Sequence, residues 1–230
     1  MNSAQVFWIA GLLVPSLLFL CLGVGFASAL FRKKRGRRFD IRNEFPFELA
    51  EGTNPSLRIS RICFILWGVL DALLSFYLLW SIERHSFLLS MSVIFAIFMV
   101  ARNVAIVALF YIPAYRFKPH FFAFVGSGAL TGFGAALSVI ICANFHAFAG
   151  EAVIPFAIFI GLLGAGAMLV LANPKLANWA KLESSVDESG AIVEKRPKYF
   201  VLAFSEWLVL FLAIASSALS LIAVMVFDLI

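Results

Sequence analysis

Charge is what this chain has least of. Of its 230 residues only 13% are charged and 63% are hydrophobic, whereas soluble domains carry nearer a quarter charged residues and about half apolar ones. So little polar material excludes a domain wetted on all sides, and lipid must cover much of the surface. Cysteine is scarce as well. Cys21, Cys63 and Cys142 make an odd total, each inside an apolar run and without C-x-x-C spacing. That argues against a disulfide framework or a zinc site and for small buried hydrophobes. The three histidines show no H-x-x-x-H or H-E-x-x-H spacing, so Glu83, His85, His146, Glu151 and Asp228 read as solvated loop residues rather than metal ligands. No Ser-His-Asp, Cys-His or paired-aspartate motif falls within an apolar run. The expectation is a chain that is not an enzyme and holds no metal or cofactor.

Long apolar runs are what the chain has in abundance, and its mean hydropathy is +0.99. A spanning helix needs roughly 20 predominantly apolar residues, and six stretches qualify: residues 5–31, 62–82, 87–112, 121–145, 153–172 and 199–227. The expected fold is an all-α integral membrane protein, one transmembrane domain over residues 1–230, built as a six-helix bundle. The first run resembles a secretory signal in its Ala27-Ser28-Ala29 ending, but no basic residue precedes it and RKKRGRR follows it. A signal peptide carries its positive charge in front, so the first run reads as an anchor.

The positive balance, +5 in formal charge, first reports orientation in such a chain, not nucleic acid. Lys and Arg number nine in the loop 32–61, two at Arg116 and Lys118, and five in the loop 173–198, against Arg84 alone on the opposite side. Sixteen against one places both long loops in the cytoplasm and both termini outside, in a multi-pass cell-membrane protein of cytoplasmic type. The basic block Arg32, Lys33, Lys34, Arg35, Arg37 and Arg38 is expected to lie against anionic headgroups.

Glycine is plentiful where helices would cross. GSGALTGFGAA, from Gly126 to Ala136, has the spacing G-x-G-x-x-x-G. It lies within a span with no strand before it, so it is not a nucleotide loop. Helices in lipid associate through small residues, and Gly128, Gly132, Gly161 and Gly164 are the expected packing positions. Ser127, Thr131, Gly134 and Ser138 form one stripe, and Glu206, Ala213, Ser217 and Ser220 another.

Against this background a few ionisable residues stand out. Asp71 sits in LWGVLDALLSF and Arg102 in MVARNVAI, about 14 and 15 Å from the inner ends of consecutive spans at 1.5 Å per residue. An acid and a base at matching depth predict an ion pair, since each alone costs about 2.5–3.5 kcal/mol at a helix centre. Asn103 lies beside that pair. Glu206, about 10 Å from the inner end of the last span, reads first as a carboxylate close enough to the interface to reach water, and alternatively as one that joins the pair or lines an inner vestibule. Intramembrane ionisable groups often mark substrate or proton paths, so Asp71, Arg102, Asn103 and Glu206 are the candidate path residues of a small transporter or permease-type subunit. The alternative is a non-catalytic scaffold, assembly or regulatory subunit in which the Asp–Arg pair is a structural clamp. In the first loop Phe39, Ile41, Phe45, Phe47 and Leu49 alternate with polar residues, while Pro46 and Pro55 exclude a long helix. This segment is expected to lie at the interface or to contact another membrane subunit or a cytoplasmic protein. The second loop, Leu182 to Lys198, reads as polar and mobile.

Overall fold

A backbone in lipid has no water to bond, so each apolar run must close its hydrogen bonds within itself. The computed structural model describes residues 3–35, 38–50, 55–81, 86–112, 116–149, 151, 153–176, 184–186, 192–194 and 199–227. In chain order these form α1 (Ser3–Arg35), the single-turn α2 (Pro46–Ala50), α3 (Pro55–Ser81), α4 (Ser86–Tyr111), α5 (Phe117–Ala149), α6 (Val153–Leu171), the strands β1 (Ser184–Val186) and β2 (Ile192–Glu194), and α7 (Val201–Phe227). Among the described residues, five stretches are long and apolar enough to cross a membrane: Ala10–Arg32, Val93–Tyr111, Lys118–Asn144, Val153–Leu171 and Val201–Ser220. The 27-residue α3 is of comparable length, and Asp71 is the one charged residue in its stretch 62–79.

Sequential helices are neighbours. α3 lies between α1 and α4, α5 between α4 and α6, and α7 runs along α5 and α6 and reaches α3. α7 is the inner helix: 56% of its spanning stretch is buried, against 22% for α1 and for α6. The outer helices present Val14, Leu18 and Phe26, and Ile158, Phe159, Leu162 and Leu169, to the surroundings, as lipid-covered faces do.

The glycines act at one seam. A Cβ at Gly132 would stand 2.6 Å from Met168 Cγ, one at Gly128 2.9 Å from Leu171, and one at Gly164 would run into Ala135. At Gly161 the nearest atom, Val139 Cγ2, is 3.6 Å away, which is ordinary contact. Three of the four glycines thus set the α5–α6 approach. Gly164→Val should cost about 1–3 kcal/mol by overpacking and Gly161→Ala almost nothing, measured by resistance to unfolding in sodium dodecyl sulfate. Equal losses would mean that the seam yields.

The hydroxyl stripes mostly satisfy themselves. Ser127 donates to the Phe124 carbonyl, Thr131 to that of Ser127 and Ser220 to that of Ser216, the local back-bonding open to Ser and Thr in helices. Between α5 and α7 the stripes meet at Ser138 and Ser220, whose hydroxyls lie 3.0 Å apart.

Three features depart from the sequence expectations. The loop expected over 32–61 is shorter, because α1 carries on through its basic residues to Arg35 and α3 starts at Pro55, a residue suited to a first helical position. The second loop holds an antiparallel pairing of β1 with β2, Ser184 opposite Glu194. Finally, the segment around α2 folds inward: Phe45, Phe47 and Leu49 are buried, covering parts of α4, α5 and α7.

Candidate functional site

Two ionic centres are buried in the bundle, both built on α7. The first joins three helices. Arg102 of α4 donates from Nη2 to Asp71 Oδ2 of α3 at 2.9 Å, with side-chain exposures of 2% and 6%. Nη2 also reaches Ser217 Oγ and, with Nε, Asn103 Oδ1, while Nη1 donates to the Ala213 carbonyl of α7. Asn103 in turn donates to Asp71 Oδ2 at 2.8 Å and to the Gly68 carbonyl at 3.4 Å. Gly68 leaves room for this, since a Cβ there would come 3.1 Å from Val107. The guanidinium finds an anion, an amide, a carbonyl and a hydroxyl around it, and among the described residues no fully buried side-chain polar atom of Asp71, Arg102 or Asn103 is left without a partner. A buried charge pair is tolerated when its remaining hydrogen-bonding capacity is filled in this way.

The second centre is Glu206 with His120. Glu206 Oε1 lies 2.8 Å from His120 Nε2, both side chains fully buried. His120 Nδ1 is 2.6 Å from the Ile112 carbonyl at the end of α4. A carbonyl only accepts, so Nδ1 carries a hydrogen. Nε2 and Oε1 therefore hold one further proton between them, either as imidazolium with carboxylate or as imidazole with carboxylic acid. Glu206 Oε2 is different: it is buried and has no hydrogen-bond partner among the described residues.

The α2 segment closes this centre from its loop side. Asp40 Oδ1 accepts from the Arg42 backbone N–H at 3.0 Å, and the chain turns so that Glu44 N–H reaches the Asp40 carbonyl, an Asx-type turn. Pro46 then starts α2, and Glu48 Oε2 caps it by accepting from Phe45 N–H at 2.8 Å, half of a capping box. Two bonds pin the segment to α7: Phe200 N–H to the Arg42 carbonyl at 2.9 Å and Trp207 Nε1–H to the Glu44 carbonyl at 2.8 Å. Phe45 and Phe47 set their rings at 5.8 and 5.7 Å from the imidazole, edge to face.

Of the sequence candidates, the structure brings Asp71, Arg102 and Asn103 together and keeps Glu206 apart. Glu206 precedes Ala213 by seven residues on α7, about 10 Å along the axis, and its partner is His120 instead. His120 is the residue that the sequence reading missed. It lies seven residues before Ser127, so the α5 stripe extended by one heptad reaches it. Arg32 and Arg38 are exposed. Arg37 and the side chains of Lys33, Lys34 and Arg35 lie outside the described residues, as do Glu83, His85, Asp228 and the His146 side chain, while Glu151 is exposed.

Fold and site together define a multi-pass helical membrane protein with ionic centres in its interior. No known protein family, curated protein sequence or solved structure matches this chain.

Proposed function

We propose that the chain is a small transporter or permease-type subunit whose path runs along the α5–α7 interface. The observation that carries this reading is Glu206, a fully buried carboxylate with one oxygen unpartnered among the described residues. A buried polar atom left unsatisfied costs about 1–3 kcal/mol, more if charged, and in membranes ionisable groups of this kind mark paths. All six long helices cross the membrane in this reading. Both termini are outside and the α2 end faces the cytoplasm, a placement that the sixteen-to-one division of basic residues supports. The basic block from Arg32 to Arg38 then lies at anionic headgroups of the cell membrane.

The saturated bonding of Arg102 favours a second reading for that centre alone. Asp71 and Arg102 act as a fixed clamp of α3, α4 and α7, as they would in a non-catalytic scaffold or assembly subunit bound to another membrane protein.

Thiol labelling separates the two. In a chain with Cys21, Cys63 and Cys142 replaced, Ser127→Cys on α5 and Ser217→Cys on α7 are exposed to membrane-impermeant maleimides from each side. A transporter predicts labelling of Ser127→Cys from the α2 side. Protection of both positions from both sides favours the scaffold.

A further inference from the structure

We propose that Glu206 and His120 form a proton-binding site, loaded and emptied when the α2 segment lifts away. This deepens the transport reading and rests on it only for the claim that the proton crosses the membrane. The chemistry of the site selects the ion. A metal cation needs several oxygen or nitrogen ligands around it, whereas here Glu206 Oε1 and His120 Nε2 are spent on each other and Nδ1 on a carbonyl. Only Glu206 Oε2 is left over. No group of three metal-ligating side chains exists among the described residues. One proton fits the contact between acid and imidazole, and nothing larger does.

The exchange balances simply. In the closed state the pair holds one proton in the Oε1–Nε2 contact and is neutral as a unit. When the segment opens, water reaches the pair and takes that proton as hydronium, leaving a hydrated carboxylate and a neutral imidazole. Reloading is the reverse, and no electron moves. The other ionisable groups near the pair lie on the lid side. Glu48 of α2 acts electrostatically on Glu206, and Glu44 is held over Trp207 through its carbonyl. Asp71 of α3 and Arg102 of α4, which meet α7 at Ala213 and Ser217, neutralise each other.

Residues 38–50 are held by the two bonds at Arg42 and Glu44, by the Phe45 and Phe47 rings against His120, by Phe39 against Phe31 of α1 and by α2 packing on α4, while Ile41 is exposed. Opening at these contacts exposes the dyad and leaves in place the Arg102 bonds, which α3, α4 and α7 make among themselves.

Infrared difference spectroscopy of the full chain in lipid nanodiscs tests this. Between acid and neutral pH the native chain should show a Glu206 carboxyl band, the acid C=O stretch or a shifted carboxylate stretch beside imidazolium, that Glu206→Gln lacks. Identical difference spectra would overturn the site. Because Glu206→Gln can fail to fold, Phe45→Leu gives an independent reading with both dyad groups kept. In deuterated buffer its band should shift about tenfold faster than in the native chain, since local opening governs exchange and a smaller side chain weakens the closed state. An unchanged rate would overturn the lid. A titrating band in a chain whose Ser127→Cys is never labelled would support the proton site while removing transport. Labelling without a titrating band would keep transport and remove the proton site.

Discussion

Replacing Arg102 by alanine should destabilise the bundle by about 3–5 kcal/mol, the cost of breaking a buried ion pair from one side. The loss goes beyond one contact. Asp71 Oδ2 loses its cationic partner and is left to neutral donors such as Asn103 and Ser217, the Ala213 carbonyl loses its guanidinium donor, and three helices lose their common tie. The same physics predicts that removing both charges costs far less, because replacing a buried pair by apolar residues of similar volume is often neutral or stabilising. Asp71→Leu with Arg102→Met should therefore recover most of the loss. Exchanging the charges, Asp71→Arg with Arg102→Asp, should recover only part, since an arginine on α3 gives up the bonds that Arg102 makes from α4 to Ala213 and Ser217. Unfolding in mixed micelles measures all four. An Arg102→Ala chain as stable as the native one would show that the pair holds nothing together.

The second large effect is expected at Trp207. Its ring is buried between Phe39 at 5.6 Å and Phe110 at 6.4 Å, and its indole N–H ends on the Glu44 carbonyl. Trp207→Ala should cost about 3–5 kcal/mol, as buried aromatic truncations do. Trp207→Phe keeps most of the packing and loses the hydrogen bond, about 1 kcal/mol with a buried acceptor left behind. The two variants also differ in where they loosen the chain. Limited trypsin treatment should cut after Arg42 faster in Trp207→Phe than in the native chain, because the Glu44 tether is gone while the Phe200 N–H still holds the Arg42 carbonyl. Unchanged cutting would mean that the indole bond does not hold the segment.

How far the sequence could be read follows from what each signal depends on. Helix positions depend on apolar run length, a local property, so the ends of α4, α6 and α7 differ by only a residue or two from the spans read from hydropathy. The helices flanking the first loop were harder to place, because Arg and Lys are good helix formers and α1 passes through them beyond the apolar run. Asp71 with Arg102 was legible because two lone charges fell at one depth on consecutive antiparallel spans. Glu206 with His120 was not. That pair joins residues 86 apart in sequence, and His120 sits beside Arg116 and Lys118, where a histidine looks like part of a basic loop. The inward fold of Phe45, Phe47 and Leu49 was hidden for a similar reason. Alternation of apolar and polar residues shows that one face is covered but does not show what covers it.

The account holds that one ionic centre is a fixed clamp and the other lies under a movable segment. Hydrogen exchange of residues 38–50, followed by mass spectrometry in nanodiscs, tests this most directly when three chains are compared: native, Glu206→Gln, and the double variant Asp71→Leu with Arg102→Met. The expected result is faster exchange of this segment in Glu206→Gln, where the pair that supports the Phe45 and Phe47 rings is broken, and native exchange there in the double variant. A segment that exchanges at the native rate in Glu206→Gln, or that loosens only when the clamp is removed, would contradict it.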